Sequence, residues 1–105
     1  MATFYNRVVK NVNTAEITAF TSTTDSTIIL SILVANTNGV GNADVTVRRL
    51  LGATDEGYLA YTITVPADSS VDLLANKYIL PSGRKLNVSA SISGALDLQV
   101  SYVEI

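Results

Sequence analysis

A chain of 105 residues, 48% of them hydrophobic, can form one domain around one core, and with only 15% charged residues its surface must lean on Ser, Thr and Asn. The formal net charge of -2, with 7 Lys and Arg scattered along the chain, gives no electrostatic footprint for nucleic acid. With 0 His and 0 Cys, the commonest general base, the commonest metal ligand, the thiolate nucleophile and any disulfide framework are missing, which removes most hydrolase, transferase and metalloenzyme mechanisms.

Period-2 alternation recurs almost from end to end, and no stretch of about ten residues keeps a 3.6 period. Phe4 to Val12 reads as a first strand, and Ala15 to Phe20 as a second after the Asn13-Thr14 break. The polar connection Thr21-Ser22-Thr23-Thr24-Asp25 leads to the run Thr27 to Ala35, which is aliphatic on both alternating faces. Straight alternation puts Ile28, Leu30, Ile32 and Val34 on one face and Ile29, Leu33 and Ala35 on the other. Such a strand must be covered on both sides, so it is expected to be central, with Leu30 or Ile32 fully buried. The loop at 36–42 follows, with Asn38-Gly39 suited to a turn of positive φ.

Ala43 to Leu51 is the next strand, with Val45 and Val47 facing in. Continued alternation would turn Arg49 inward and Leu50 outward, which predicts a bulge or the strand's end near Arg48-Arg49. A polar loop at 52–57 precedes a strand from Tyr58 to Val65, which Pro66 stops for want of a backbone donor. Ser70 to Ala75 and Tyr78 to Leu80 are short strands, and Pro81-Ser82-Gly83 is a turn. Leu86, Val88, Ala90 and Ile92 alternate with polar residues, as do Leu96, Leu98, Val100 and Tyr102. These two runs about Ser93-Gly94 read as an antiparallel hairpin. The expectation is an all-β fold: one antiparallel sandwich, jelly-roll-like, of about eight strands, filling residues 1–105 as a single domain. No apolar run reaches the roughly 18 residues that a helical membrane span needs, so no membrane partner is expected. The start, Met1-Ala2-Thr3-Phe4-Tyr5-Asn6-Arg7, lacks the pattern of a secretory signal peptide.

No motif stands up as a reaction centre. Asp68-Ser69-Ser70 holds a serine, but no histidine exists to activate it, and Lys77 or Lys85 has no argument for acting as its base. Asp and Ser suit the backbone hydrogen bonds of a turn after Pro66. The carboxylates Asp44, Asp55, Glu56, Asp68, Asp72 and Asp97 are spread over separate loops and faces without a calcium-loop spacing. A carboxylate pair for glycoside hydrolysis depends on geometry that sequence does not give. Asn87-Val88-Ser89 matches a glycosylation sequon but lies mid-strand, and Gly39 and Gly41 fit no phosphate-binding pattern. Phe4, Tyr5, Phe20, Tyr58, Tyr61, Tyr78 and Tyr102 are dispersed singly, and straight alternation points Tyr58 and Tyr61 to opposite faces, against a stacking platform. The expected catalytic, cofactor-binding and metal-binding residues are therefore none.

Four segments carry a resemblance: Thr3-Phe4-Tyr5-Asn6-Arg7-Val8-Val9-Lys10, Val34-Ala35-Asn36-Thr37, Val65-Pro66-Ala67-Asp68-Ser69-Ser70 and Ser101-Tyr102-Val103-Glu104-Ile105. Together they resemble small β-sandwich structural proteins from virions of tailed bacteriophages, especially those of cyanobacteria and other marine hosts. The resemblance rests on strand and turn patterns and carries over no functional residue. It implies a non-enzymatic capsid decoration (cement) protein, made in the host cytoplasm, located in the virion and often trimeric on the major capsid protein lattice. It also admits a tail, neck or fibre component. A receptor- or glycan-binding module and a small hydrolase are the competing classes; the first needs exposed aromatics with convergent polar groups, and the second lacks a histidine. Apolar residues left over from one core, Ile29, Leu33, Ala35, Val103 and Ile105, predict self-association as a homotrimer and packing on other virion proteins.

Overall fold

The computed structural model describes residues 3–23, 25–38 and 41–104. Nine strands are found among these residues: β1 (Thr3–Val12), β2 (Ile17–Thr21), β3 (Ser26–Asn36), β4 (Ala43–Leu51), β5 (Thr54–Val65), β6 (Ser70–Asp72), β7 (Tyr78–Pro81), β8 (Arg84–Ala90) and β9 (Leu96–Glu104). They form two sheets with only antiparallel pairing, one ordered β1-β9-β3-β6 with β7 also on β3, the other β2-β8-β4-β5. Since β6 and β7 lie along the same side of β3, they fill one strand position, and the sandwich has eight. Successive strands mostly change sheet, which gives the nested connections of a jelly roll.

The core lies between the sheets. Ile29, Ile32 and Val34 from β3 and Leu96, Leu98 and Val100 from β9 meet Val45 and Val47 from β4 and Leu86 and Val88 from β8. Each buried aliphatic side chain of this kind stabilises by ~1.5–3 kcal/mol relative to exposure. Buried polar groups are satisfied locally. Asn36, at the end of β3, donates from Nδ2 to the carbonyls of Gly41 (3.1 Å) and Val65 (2.9 Å), while its Oδ1 accepts from the Asn38 amide (2.9 Å).

The central position of β3 is as expected, flanked by β9 on one side and β6 and β7 on the other, and Ile32 is fully buried. The face assignment is not. A register shift against β9 falls between Ile29 and Ser31, so Leu30 is the extra residue of a bulge and parity changes there. Ile29 therefore joins Ile32 and Val34 in the core, whereas Ile28 and Leu30 are only half-buried.

β8 and β9 do not form a hairpin. β8 pairs with β2 and β4, and β9 pairs with β1 and β3, so residues 91–95 cross from one sheet to the other. Both runs carry one apolar row, and two such rows are buried equally well facing each other across a core as side by side in one sheet. The crossing is held by backbone bonds from Ala90 N to Asn13 O (2.9 Å) and from Gly94 N to Val12 O (3.0 Å). Ile92 falls in this crossing and is exposed, outside the alternation assigned to it.

Three smaller corrections concern boundaries. The expected loop at 52–57 is a tight turn at Gly52-Ala53, because Gly52 adopts φ 63° and lets Leu51 pair with Thr54. β6 stops at Asp72, whose Oδ1 accepts from the amides of Leu74 (3.1 Å) and Ile32 (3.3 Å) in place of ladder bonds. The bulges near Arg48-Arg49 lie in β5, since β4 pairs with β8 without a shift from Val45 to Leu51. The Asn38-Gly39 turn and the exposure of Ile105 fall outside the described residues.

Candidate functional site

The carboxylates singled out in the sequence are dispersed over the surface and occupied with structural bonds. Asp44 accepts from the Thr64 hydroxyl (2.9 Å), Asp97 from the Asn11 amide (2.9 Å), and Asp55 from the Gly57 amide (2.8 Å). Asp68 sits at φ 58° in the turn closed by Ser69 N to Pro66 O (3.2 Å). Among the described residues, no three Asp or Glu converge on a point that would hold a metal ion. Asn87 of the sequon is buried; its Oδ1 accepts from the Thr18 hydroxyl (2.9 Å) and its Nδ2 donates to Glu16 (3.1 Å).

Two ion-pair clusters use the adjacent arginines. Arg48 binds Glu16 through Nε and Nη2, and Arg49 Nε binds Glu56 Oε1 (2.8 Å), which also faces Arg84 Nε (3.3 Å). The Arg48 guanidinium holds the Glu16 carboxyl below its usual range, assisted by Asn87. Arg49 does the same for Glu56 against the opposing effect of burial, with a lesser contribution from Arg84.

The outer face of the β1-β9-β3-β7 sheet is apolar in a way straight alternation did not show. Phe4 pairs with Val103, Val103 with Ile28, and Ile28 with Ile79, so four apolar side chains form one row across four strands. The adjacent row, Tyr5, Tyr102, Ile29 and Tyr78, holds the core members Ile29 and Tyr102, which puts the first row on the outside. Phe4 is 71% and Ile79 63% exposed, while Val103 between them is 7% exposed, sheltered by its row rather than by the core. Val8 and Leu33, paired through Gln99, extend the same face. The positions between the two rows, Asn6, Ser101 and Ser31, are uncharged. The expected surplus of apolar residues is therefore present, but Ile29 is not part of it and Phe4, Ile28 and Ile79 are.

A second feature is a cleft of about 230 Å3 between the outer strand of one sheet, β5, and the β6–β7 side of the other. Leu59 and Leu74 line it as partly buried residues packed on the core, and Arg49, Glu56, Gly57, Tyr58 and Tyr78 complete its walls. Arg49 Nη1 donates to Tyr78 Oη across the two sheets (3.1 Å). Tyr58 and Tyr61 are 50% and 64% exposed, with ring centroids 5.0 Å apart at 80°. They meet rather than pointing to opposite faces. The cause is the shifted register of β5, in which Val47 pairs with Ala60 and Arg48 with Tyr58, so Leu59 is skipped. The one hint in the sequence was Gly57 beside Tyr58, which takes φ 129° here.

No protein-family model matches the chain, and no curated protein matches it in sequence. Solved structures do match in fold. The VP2 subviral particle of infectious bursal disease virus superposes with a TM-score of 0.59 at 10% identity, over 98% of this chain and 33% of that one. This chain thus spans about a third of VP2. A pentameric capsid protein from metagenomic phage sequences gives a TM-score of 0.52 at 15% identity, over 97% of this chain and 60% of that one. A Bacillus endospore appendage, a disulfide-linked pilus, gives 0.54 at 13% identity, over 97% and 84%. The class defined is an all-β jelly-roll sandwich of a fold that occurs in viral capsid proteins.

Proposed function

We propose that this chain is a non-enzymatic virion structural protein, a capsid decoration protein of a tailed bacteriophage that seats on the major capsid protein lattice and stabilises it. The whole of residues 1–105 acts as one domain, self-associates as a homotrimer and is made in the host cytoplasm before joining the virion. No catalytic, cofactor-binding or metal-binding residue is assigned. The observation that carries this reading is the outer apolar face: Phe4 and Ile79 at 71% and 63% exposure flank Ile28 and Val103 on a sheet whose other face already fills the core. Contiguous apolar patches on this scale mark interaction surfaces in soluble proteins. Low charge and the absence of His and Cys agree with a role in packing rather than chemistry.

The test compares particles assembled with and without the protein through a heating series. Particles lacking it should assemble but rupture at a lower temperature, and added wild-type protein should restore them while Ile79→Asp should not. Unchanged heat resistance together with lost adsorption to host cells would replace this reading with that of a receptor-binding module.

A further inference from the structure

We propose that the open edge of β1 pairs, antiparallel, with β1 of a second copy about a two-fold axis at Asn6, and that this contact links neighbouring copies on the lattice. The link on a lattice rests on the function proposed above; the strand pairing itself does not.

The edges of the two sheets are not alike. An unpaired row of backbone N–H and C=O groups is a template for another strand, and proteins usually interrupt it. β2 is short and carries a register shift, β5 shifts register at three places, and the far side of β3 is divided between β6 and β7, the latter ending at Pro81. β1 has no such interruption over Thr3–Val9, where its register against β9 runs unbroken through seven residues. Thr3 to Val8 are exposed whichever face of the strand they occupy.

Side-chain chemistry then selects the register. Opposed residues in a sheet point to the same face, so a two-fold pairing must centre on a single residue. Centred on Arg7, it would set Arg7 against Arg7, and directly opposed like charges destabilise. Centred on Tyr5, it would set Phe4 against Asn6 and leave Val8 and Val9 unpaired. Centred on Asn6, the midpoint of the unbroken stretch, it uses all seven residues. Phe4 then faces Val8, an aromatic beside a β-branched side chain, and Tyr5 faces Arg7. The Tyr5 ring stacks on Tyr102 of the neighbouring strand (5.3 Å, 21°), so its other face turns to the open edge, where a guanidinium would lie against it. Among the described residues Arg7 is in no ion pair. Asn6 Nδ2 donates to Ser101 Oγ (3.0 Å), which leaves its second N–H and its Oδ1 for the Asn6 opposite.

The same register continues the outer apolar face. The row Ile79, Ile28, Val103 and Phe4 of one copy runs on into Val8 and, past Gln99, Leu33 of the next. A single strand pair buries less than the ~800 Å2 per partner of a stable interface, so it forms between copies already held side by side rather than at micromolar concentration.

With 0 Cys in the chain, one introduced thiol is a clean probe. Directly opposed residues have Cα atoms ~4.5–5.5 Å apart, within disulfide reach. The experiment is mild oxidation at millimolar concentration in the Ile79→Asp background, where the apolar face no longer drives assembly, with circular dichroism showing that each variant is folded. Asn6→Cys should form disulfide dimers roughly tenfold faster than Phe4→Cys or Val8→Cys alone. An equal mixture of Phe4→Cys and Val8→Cys should cross-link faster than either by itself. On particles, Asn6→Cys should likewise be recovered as dimers. Asn6→Cys oxidising no faster than Phe4→Cys, a mixture no faster than its components, or recovery of single chains from particles would overturn the proposal. Failure of the decoration role would show instead in the particle-heating series and leave the rates in solution unchanged.

Discussion

Leu30 and Ile32 are two residues apart on β3, yet the bulge at Leu30 gives them different environments. Ile32 and Ile29 are fully buried, and truncating such a side chain to Ala costs ~2–5 kcal/mol. Leu30 is only half-buried, so Leu30→Ala should cost less than about half as much as Ile32→Ala or Ile29→Ala in urea unfolding. An equal loss for Leu30 and Ile32 would place Leu30 in the core and contradict the bulge. Charge makes a second residue-scale prediction. The Glu16 and Glu56 carboxyls are held below the ordinary glutamate value, about 4.5, by Arg48 and Arg49 respectively. A depressed folded-state pKa contributes stability that is present above the unfolded value and is lost as pH falls through the folded one. The urea midpoint should therefore drop as pH is lowered from about 4.5, and Glu16→Gln with Glu56→Gln should flatten that part of the profile. A midpoint that holds down to about pH 3 would show these pairs to be energetically silent.

At the scale of elements, β5 is the strand on which most turns. It spans Thr54–Val65 against the shorter β4, and its register shifts at three places. One excess residue is accommodated near Gly57, at φ 129°, where an added Cβ would meet nothing within 4 Å. Gly57→Ala should thus destabilise through backbone strain alone, by ~1–3 kcal/mol, and should disturb the Tyr58–Tyr61 contact. A stability within about 0.5 kcal/mol of wild type would mean that the bulge relaxes without cost. The same element marks what the sequence could convey. Strands and their stops were legible because they rest on local chemistry: alternation from Leu96 to Tyr102, Pro66 closing β5, Gly83 at φ 84° in its turn. The apolar excess was legible as well, but not its members, since one extra residue at Leu30 or Leu59 reverses every later side chain and period-2 counting cannot register it. The partner of β9 was also out of reach, because an apolar row is satisfied by a neighbour in its own sheet or by a row facing it. The cleft went unseen for the same reason: it joins β4, β5, β7 and Leu74 across two sheets.

At the scale of the molecule, the jelly roll solves the burial of one face of each sheet and leaves the outer face of β1-β9-β3-β7 apolar. A stable interface takes about 800 Å2 from each partner, roughly one seventh of the 5523 Å2 that this chain exposes. One sheet face is of that order. Self-association through this face would cover Phe4, Ile28 and Ile79 without further change of shape, and closed rotational symmetry would end the assembly at a fixed number of copies. The direct measurement is light scattering on purified wild-type protein and on Ile79→Asp at micromolar concentration. The account predicts a wild-type mass of three times the 11.1 kDa chain and a folded Ile79→Asp variant at the mass of one chain. A wild-type protein that stays at 11.1 kDa, or an Ile79→Asp variant that assembles as the wild type does, would contradict it.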